Sequence, residues 1–157
     1  MRLVTLLSLD PRYLLEQNAP DIDDYLRLHA DTWLSTKTTE QAKPIFDSSW
    51  LWVRAIEKET GKNVRMGRAF GDSGWCFLIA DMATDPAHQR RGLGLAVLEE
   101  LLSGILTSAP DNPYIVVLAD APGRPRYQSM GFVETALNSI GKRYAMKKAG
   151  SADKALG

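Results

Sequence analysis

The sequence predicts an α/β fold with a mixed, mostly antiparallel central sheet and helices on both faces. Between residues 50 and 84, three runs of apolar residues are separated by tight turns at 59–63 and 71–74, a pattern typical of antiparallel strands. A long amphipathic helix from Gly94 then precedes a buried strand at 114–118. A right-handed crossover through this helix makes the strands before and after it parallel.

The first third of the chain predicts one strand and two helices. Residues 13–17 form the strand, and Pro20 ends it. A helix begins at Ile22, where apolar residues take up helical spacing, and Asp21 with Asp24 resembles a weak capping box. The polar run 35–39 ends this helix and caps a second, shorter one near 40–46.

The remaining elements follow from apolar runs and from the prolines that end them. Strands are predicted at 50–57, 64–70 and 75–84, and the third is almost continuously apolar, as expected of a central strand covered on both faces. Pro86 ends that strand and Pro110 ends the long helix. The last predicted elements are a strand at 114–118, a helix at 125–130, and strands at 132–134 and near 143–147.

The length of 157 residues predicts a single domain spanning 1–157. Its core is expected at about 13–148. Residues 1–12 form an N-terminal extension, and 149–157 form a disordered tail.

Composition excludes several classes of protein. Nineteen Lys and Arg balance 19 Asp and Glu, which argues against binding to nucleic acid or to an anionic membrane surface. The longest apolar runs are far below the roughly 20 residues needed to span a bilayer. A single cysteine, Cys76, and two histidines predict neither an internal disulfide nor a metal site. We therefore expect a metal-free protein in the cytoplasm.

The segment between the central strand and the long helix carries the clearest functional signal. Residues 85–94 join a strand to a helix N-terminus, where backbone N–H groups and the helix dipole attract an anion. Gly92 and Gly94 allow close approach of a ligand, and Arg90 and Arg91 add positive charge. The alternative is an ordinary helix start with two solvated arginines. The segment lacks the Gly-Lys-Ser/Thr of a Walker loop and the third glycine of a Rossmann fingerprint.

Two motifs resemble the GNAT superfamily of N-acetyltransferases. Gln89-Arg90-Arg91-Gly92-Leu93-Gly94 is similar to the family's Gln/Arg-x-x-Gly-x-Gly/Ala motif. Tyr127-Gln128-Ser129-Met130-Gly131-Phe132 is similar to its Tyr-x-x-x-Gly-Phe motif, at a separation of about one helix and one strand. The resemblance covers roughly residues 13–148.

The resemblance implies acetyl-CoA as cosubstrate and a site for it. The loop and the start of the helix would hold the pyrophosphate, and the end of the central strand would pair with the pantetheine arm. Tyr127 would protonate the departing thiolate, because a phenol with a reference pKa of about 10 can donate a proton at neutral pH. The implied CoA-binding residues are Met82, Ala83, Thr84, Gln89, Arg90, Arg91, Gly92, Leu93, Gly94 and Leu95.

The proton acceptor is less defined. Asp81 lies inside an apolar strand, where a carboxylate is costly unless it is paired, so it is either a catalytic group or half of a buried pair. We take Asp81 with Tyr127 as the catalytic candidates. Asp120 caps a helix, shapes the pocket or binds substrate. His29 is a further candidate, and so is His88, for which a surface position is favoured.

The acceptor amine is expected near the first two helices, with Trp33 and Asp120 as candidate substrate-binding residues. The expected reaction is transfer of an acetyl group to a primary amine of a small molecule or peptide, by direct attack in a ternary complex. The alternatives are a non-catalytic acyl-CoA sensor, a protein N-terminal or lysine acetyltransferase, and a nucleotide-binding domain. We expect a monomer or a homodimer.

Overall fold

The computed structural model describes residues 9–32 and 34–135, and the central elements lie close to their predicted positions. Five strands and four helices are present in these ranges. The strands are β1 (Tyr13–Glu16), β2 (Leu51–Glu57), β3 (Asn63–Gly71), β4 (Cys76–Thr84) and β5 (Tyr114–Val117). The helices are α1 (Ile22–Ala30), α2 (Thr39–Ser48), α3 (Leu93–Ser108) and α4 (Arg124–Ser129), and a short 3-10 helix covers Pro86–His88.

The sheet has the order β1-β2-β3-β4-β5. The first three pairs of neighbours are antiparallel, and β4 pairs with β5 in parallel through the α3 crossover. The mixed, mostly antiparallel sheet predicted from the turns and the long helix is therefore confirmed.

Helices cover both faces of this sheet. On one face, Tyr25 and Leu28 of α1 and Ala42 of α2 pack against Trp52 and Met66. On the other face, α3 packs closely against the sheet because glycines lie at the contact. A Cβ on Gly67 would lie 3.0 Å from Val97 of α3, and a Cβ on Gly104 of α3 would lie 2.5 Å from Leu51.

The side chains of neighbouring residues in a strand point to opposite faces of the sheet, so each strand contributes side chains to both helical layers. Met66 is buried under α1 and Gly67 under α3. Trp52 faces the α1 layer and Leu51 the α3 layer. The expected arrangement of helices on both faces is confirmed.

The two short N-terminal helices begin differently. Thr38 accepts a hydrogen bond from the Gln41 backbone, and the Gln41 side chain accepts one from the Thr38 backbone, which completes a capping box at α2. Asp21 occupies the N-cap of α1 without a side-chain hydrogen bond. The capping box expected between Asp21 and Asp24 is therefore wrong, because the Asp24 carboxylate pairs with Arg27 at 2.9 Å instead.

The chain divides into two compact units, Met1–Ala119 and Asp120–Gly157. Within the second unit, the described residues contain α4 and the chain that follows it. Residues 132–134 adopt neither helix nor strand, so the strand predicted there is wrong. The predicted strand near 143–147 and the predicted tail at 149–157 lie outside the described residues. Among the residues described, no helix is long and apolar enough to cross a membrane.

Candidate functional site

The strands β4 and β5 separate part-way along β4. Their parallel pairing runs from Cys76 opposite Tyr114 to Ile79 opposite Val117. Strand β5 ends at Val117, whereas β4 continues to Thr84 and keeps its pairing with β3 on the other side. The last residues of β4 therefore have a strand neighbour on one edge only, within the part of the chain that the structure describes.

The backbone groups on that open edge can be identified. The Asp85 N–H donates to Val64 O of β3 at 2.8 Å. Because successive N–H groups of a strand point to opposite edges, those of Met82 and Thr84 face away from β3. An extended ligand lying along this edge would meet the backbone donors and acceptors of Met82 and Thr84.

A β-bulge immediately precedes this edge. Met66 pairs with Ala83, and Arg68 pairs with Ala80, so Gly67 of β3 is opposite both Asp81 and Met82 of β4. Asp81 adopts a left-handed backbone conformation with a φ of 54°. Such a conformation costs a residue other than glycine of order 1 kcal/mol, although aspartate tolerates it better than most.

The side chain of Asp81 is held by residues from two elements. Tyr25 of α1 donates its phenolic hydrogen to Asp81 Oδ2 at 2.9 Å, and Arg68 Nε of β3 donates to the same oxygen at 2.6 Å. His29 Nε2 of α1 lies 3.2 Å from Asp81 Oδ1, without the alignment of a hydrogen bond. The carboxylate thus faces three polar groups of α1 and β3.

These contacts determine the ionisation state of the Asp81 carboxylate. Burial raises the pKa of Asp81, but the contacts with His29, Arg68 and Tyr25 outweigh burial and lower this pKa to about 2. Burial, and then the nearby negative charge of Asp81, raises the pKa of Tyr25. Asp81 is therefore a paired, ionised carboxylate, and Tyr25 is a neutral hydrogen-bond donor.

Aromatic rings enclose the cluster. The Tyr25 ring lies 4.6 Å from the His29 ring and 5.5 Å from the Phe46 ring, measured between centroids. The Arg68 guanidinium lies 4.4 Å from the centroid of Phe70, and its Nη1 donates to Ser49 Oγ at 3.2 Å. The polar cluster is consequently almost fully shielded from water.

The segment after β4 has a backbone geometry suited to binding an anion. The sign of φ alternates across it, with 60° at Arg90, a negative value at Arg91 and 77° at Gly92, a geometry that turns successive N–H groups towards one side. Gly92 is the N-cap of α3, and the Ala96 N–H donates to Gly92 O at 3.1 Å. The N–H groups at 93–95 precede that bond and have no acceptor within the helix.

The side chains of this segment divide into two groups. Arg90 and Arg91 are exposed, whereas Leu93 and Gly94 are buried and hold the start of α3 against the sheet. Gln89 Nε2 donates to Thr84 O at 3.4 Å. The backbone amides at the start of α3 and the side chains of Arg90 and Arg91 are therefore available to contact a ligand.

The segment is anchored at its beginning by Asp85. This carboxylate contacts Lys62 Nζ at 2.8 Å and Arg27 Nη1 at 3.0 Å, and it also accepts from the Ala87 N–H. Burial raises the pKa of Asp85, but Lys62, the Ala87 amide and Arg27 together lower it. The end of β4 is thereby tied to α1 and to Lys62, the residue before β3.

His88 adds a second anchor. Its Nδ1 lies 2.9 Å from the hydroxyl of Tyr13, and the two rings meet edge to face at 5.7 Å. Tyr13 is buried and His88 is partly buried. The expectation of a surface histidine is therefore wrong, because His88 packs against β1.

A sequence profile described as an acetyltransferase (GNAT) domain matches residues 51–144, which is more than half of the chain. The chain belongs to the GNAT acetyltransferase family. The sequence matches none of the curated proteins with which it was compared.

Solved structures described as acetyltransferases have the same fold. A Staphylococcus aureus protein of unknown function, described as a probable acetyltransferase, is 26% identical with a TM-score of 0.77, over 85% of this chain and 99% of that one. A GNAT-family acetyltransferase from Streptococcus pneumoniae is 18% identical, with a TM-score of 0.68 over 87% and 99%. Glucosamine-6-phosphate N-acetyltransferase from Arabidopsis thaliana is 16% identical, with a TM-score of 0.59 over 88% and 99%.

The second GNAT motif lies in the second unit. Tyr127 is buried on α4, and its ring lies 5.7 Å from Phe132. Asp120 accepts from the Gly123 N–H at 3.0 Å in the turn before α4, whose N-cap is Gly123 without a side-chain hydrogen bond, so Asp120 does not cap this helix. Trp33 lies outside the described residues, so its substrate-binding role remains a prediction, as does that of Asp120.

Sequence analysis missed the partners of Asp81. Tyr25 and Arg68 were not singled out, and His29 was named only as a possible base. Two signals pointed to them: Tyr25 and His29 are four residues apart, on the same side of a helix, and Arg68 is a charged residue inside an apolar strand. In the residues described, no group of three or more His, Cys, Asp or Glu side chains is placed to hold a metal ion.

Proposed function

We propose that this GNAT-family protein is an acetyl-CoA-dependent N-acetyltransferase acting on a primary amine of a small molecule or peptide. One observation carries the proposal: the open backbone edge at Met82 and Thr84 leads, through a few residues, to the unpaired amides at the start of α3. Acetyl-CoA has groups in the matching order, because its extended pantetheine arm is followed by a pyrophosphate.

The proposed CoA site uses backbone more than side chains. The pyrophosphate accepts hydrogen bonds from the amides of residues 93–95, and Arg90 and Arg91 add positive charge. The pantetheine amides pair with the edge of Met82 and Thr84 as an added strand does, with Ala83 between them. Gln89 supports this edge through its contact with Thr84 O.

The proposed reaction is direct attack of the neutral amine on the thioester carbonyl. The N–C bond forms and the C–S bond breaks. The amine releases one proton to solvent water, and the thiolate gains one from a donor that solvent reprotonates, so the overall proton count is unchanged. The Met82 N–H is proposed to donate to the carbonyl oxygen as negative charge develops on it. Tyr127 is proposed to supply the proton to the thiolate.

Asp81, the other catalytic candidate, is proposed to act without taking up the amine proton. A carboxylate with a pKa of about 2 and three polar partners is a weak base at neutral pH. We assign to it a positioning role. Trp33 and Asp120 remain the proposed contacts for the acceptor.

A thiol-release assay with acetyl-CoA and a panel of amines tests the proposal. The panel includes amino sugars, polyamines, aralkylamines and a peptide with a free N-terminus and a lysine. We expect one class to release CoA and form an equal amount of acetylated amine, detected by mass spectrometry. Tight binding of CoA without turnover on any amine would support the sensor alternative instead.

A further inference from the structure

We propose that Asp81, with Tyr25, His29 and Arg68, positions the Met82 N–H that polarises the thioester carbonyl. These four are positioning residues, because they are inferred to act through the backbone of Met82. The inference rests on the proposed acyl transfer for its catalytic consequence. Its structural part concerns the fixed conformation of one peptide group and does not depend on that reaction.

The first step is that the strand ladder leaves this peptide group without regular support. Between the Met66–Ala83 and Arg68–Ala80 pairs, two residues of β4 are opposite one residue of β3. The extra residue of a bulge is unpaired, and Asp81 has the left-handed backbone that this bulge requires. Contacts of the side chains must therefore hold the conformation.

The second step is that the Asp81 side chain is fixed on the α1 face of the sheet. Tyr25 and Arg68 each donate to Oδ2, and His29 lies beside Oδ1. Tyr25 is 0% exposed and His29 is 1% exposed, and the two residues are one helical turn apart. The carboxylate is thus tied to buried, well-packed parts of α1 and β3.

The third step is that the Met82 side chain is fixed on the opposite face. Its sulfur occupies the space above Gly67 that a Cβ would need, next to Val97 and Leu101 of α3. The peptide group between Asp81 and Met82 therefore has one side chain anchored under α1 and the other under α3. This peptide carries the Met82 N–H, so the direction of that N–H is set from both faces.

Two substitutions of Asp81 separate the side-chain anchor from the backbone conformation. Asp81→Gly keeps the left-handed conformation accessible and removes the anchor. Asp81→Asn tolerates the same conformation and keeps an oxygen that accepts from Tyr25 and Arg68. Arg54→Gln is the control, because it breaks an ion pair with Glu16 between β1 and β2, away from the bulge.

We expect Asp81→Gly to lower kcat with the best amine about 10- to 100-fold, because misplacing one oxyanion donor has an effect of this size. The Kd for CoA should change less than kcat, since the loop at 89–94 and the Thr84 edge are untouched, and Asp81→Asn should retain most of the kcat. A wild-type kcat in Asp81→Gly, or a kcat loss matched by an equal loss of CoA affinity, would overturn the proposal.

A second measurement is independent of turnover. In ¹H–¹⁵N spectra of the protein without substrate, the Met82 amide should give one sharp signal in the wild type, Asp81→Asn and Arg54→Gln, and a broadened or multiple signal in Asp81→Gly. If Asp81→Gly does not fold, Tyr25→Phe removes one donor, keeps the ring and should broaden the same signal. An unchanged Met82 signal in the variant would overturn the proposal even if no amine were acetylated.

Discussion

Arg68 Nε on β3 lies 2.6 Å from Asp81 Oδ2 on β4, and their side chains are only 10% and 12% exposed. A buried ion pair stabilises a fold chiefly by avoiding the cost of leaving one charge alone. Here the pair also joins the two strands at the bulge, so the charge state of Asp81 affects both stability and site geometry.

The low pKa of Asp81 predicts a loss of stability in acid. Its folded-state pKa is about 2, below the value of about 3.9 in an unfolded chain, so its contribution is complete above about pH 5 and is lost as the pH falls towards 2. The difference corresponds to about 2–3 kcal/mol, of which about half is lost by pH 3. Urea unfolding at about pH 6 and about pH 3 measures it.

The matched variants for this measurement are Asp81→Asn and Asp47→Asn. Both remove one carboxylate, and Asp47 is exposed on α2. The free energy of unfolding of Asp81→Asn should change less between the two pH values than that of the wild type. A pH dependence identical to that of the wild type would contradict the assigned ionisation.

Gly67 is predicted to tolerate no side chain. A Cβ there would overlap the Met82 sulfur and press on Val97 and Leu101, so Gly67→Ala should lower the free energy of unfolding by about 1–3 kcal/mol. Gly74→Ala is the control, since its Cβ would meet only Asp72 Oδ1 at 3.8 Å and should change stability by less than about 0.5 kcal/mol. Equal stabilities for the two variants would refute the packing described at the bulge.

Tyr127→Phe tests the proposed acid. Losing a proton donor should reduce kcat about 100-fold, while the Kd for CoA stays nearly constant because the ring remains. Tyr114→Phe makes the same chemical change on a half-exposed tyrosine that stacks on Trp75, and it should leave both constants unchanged. Full activity of Tyr127→Phe would remove this residue from the acid role.

The sheet and the loop could be predicted because their signals are local in sequence. The antiparallel strands follow from turns of a few residues, and the parallel β4–β5 pair follows from the single helix between them. Gly92 was predicted as a site of close approach, and its φ of 77° shows that the position needs a left-handed conformation. Each of these features depends on residues in the same turn or in the same connection between two strands.

The environment of Asp81 could not be predicted, because it depends on contacts distant in sequence. Tyr25 and Asp81 are separated by 56 positions, and only the packing of α1 on the sheet brings them together. The sequence left open whether Asp81 is catalytic or half of a pair, and the pairing with Arg68 depends on a bulge that no residue pattern signalled. The capping box at Asp21 is absent for a similar reason. Asp24 pairs with Arg27, and Arg27 also contacts Asp85 and Asn63, which are distant in sequence.

Equilibrium binding of CoA to Gly92→Asp and Gly92→Asn tests most directly the claim that this loop holds the pyrophosphate. A Cβ at Gly92 meets no atom within 4 Å, and both residues tolerate a positive φ and can cap α3, so both variants should fold. They differ in one negative charge at the helix start. We predict that Gly92→Asp binds CoA at least about tenfold more weakly than Gly92→Asn in low salt, with equal binding of pantetheine, which lacks the pyrophosphate. Equal affinities of the two variants for CoA would contradict the account.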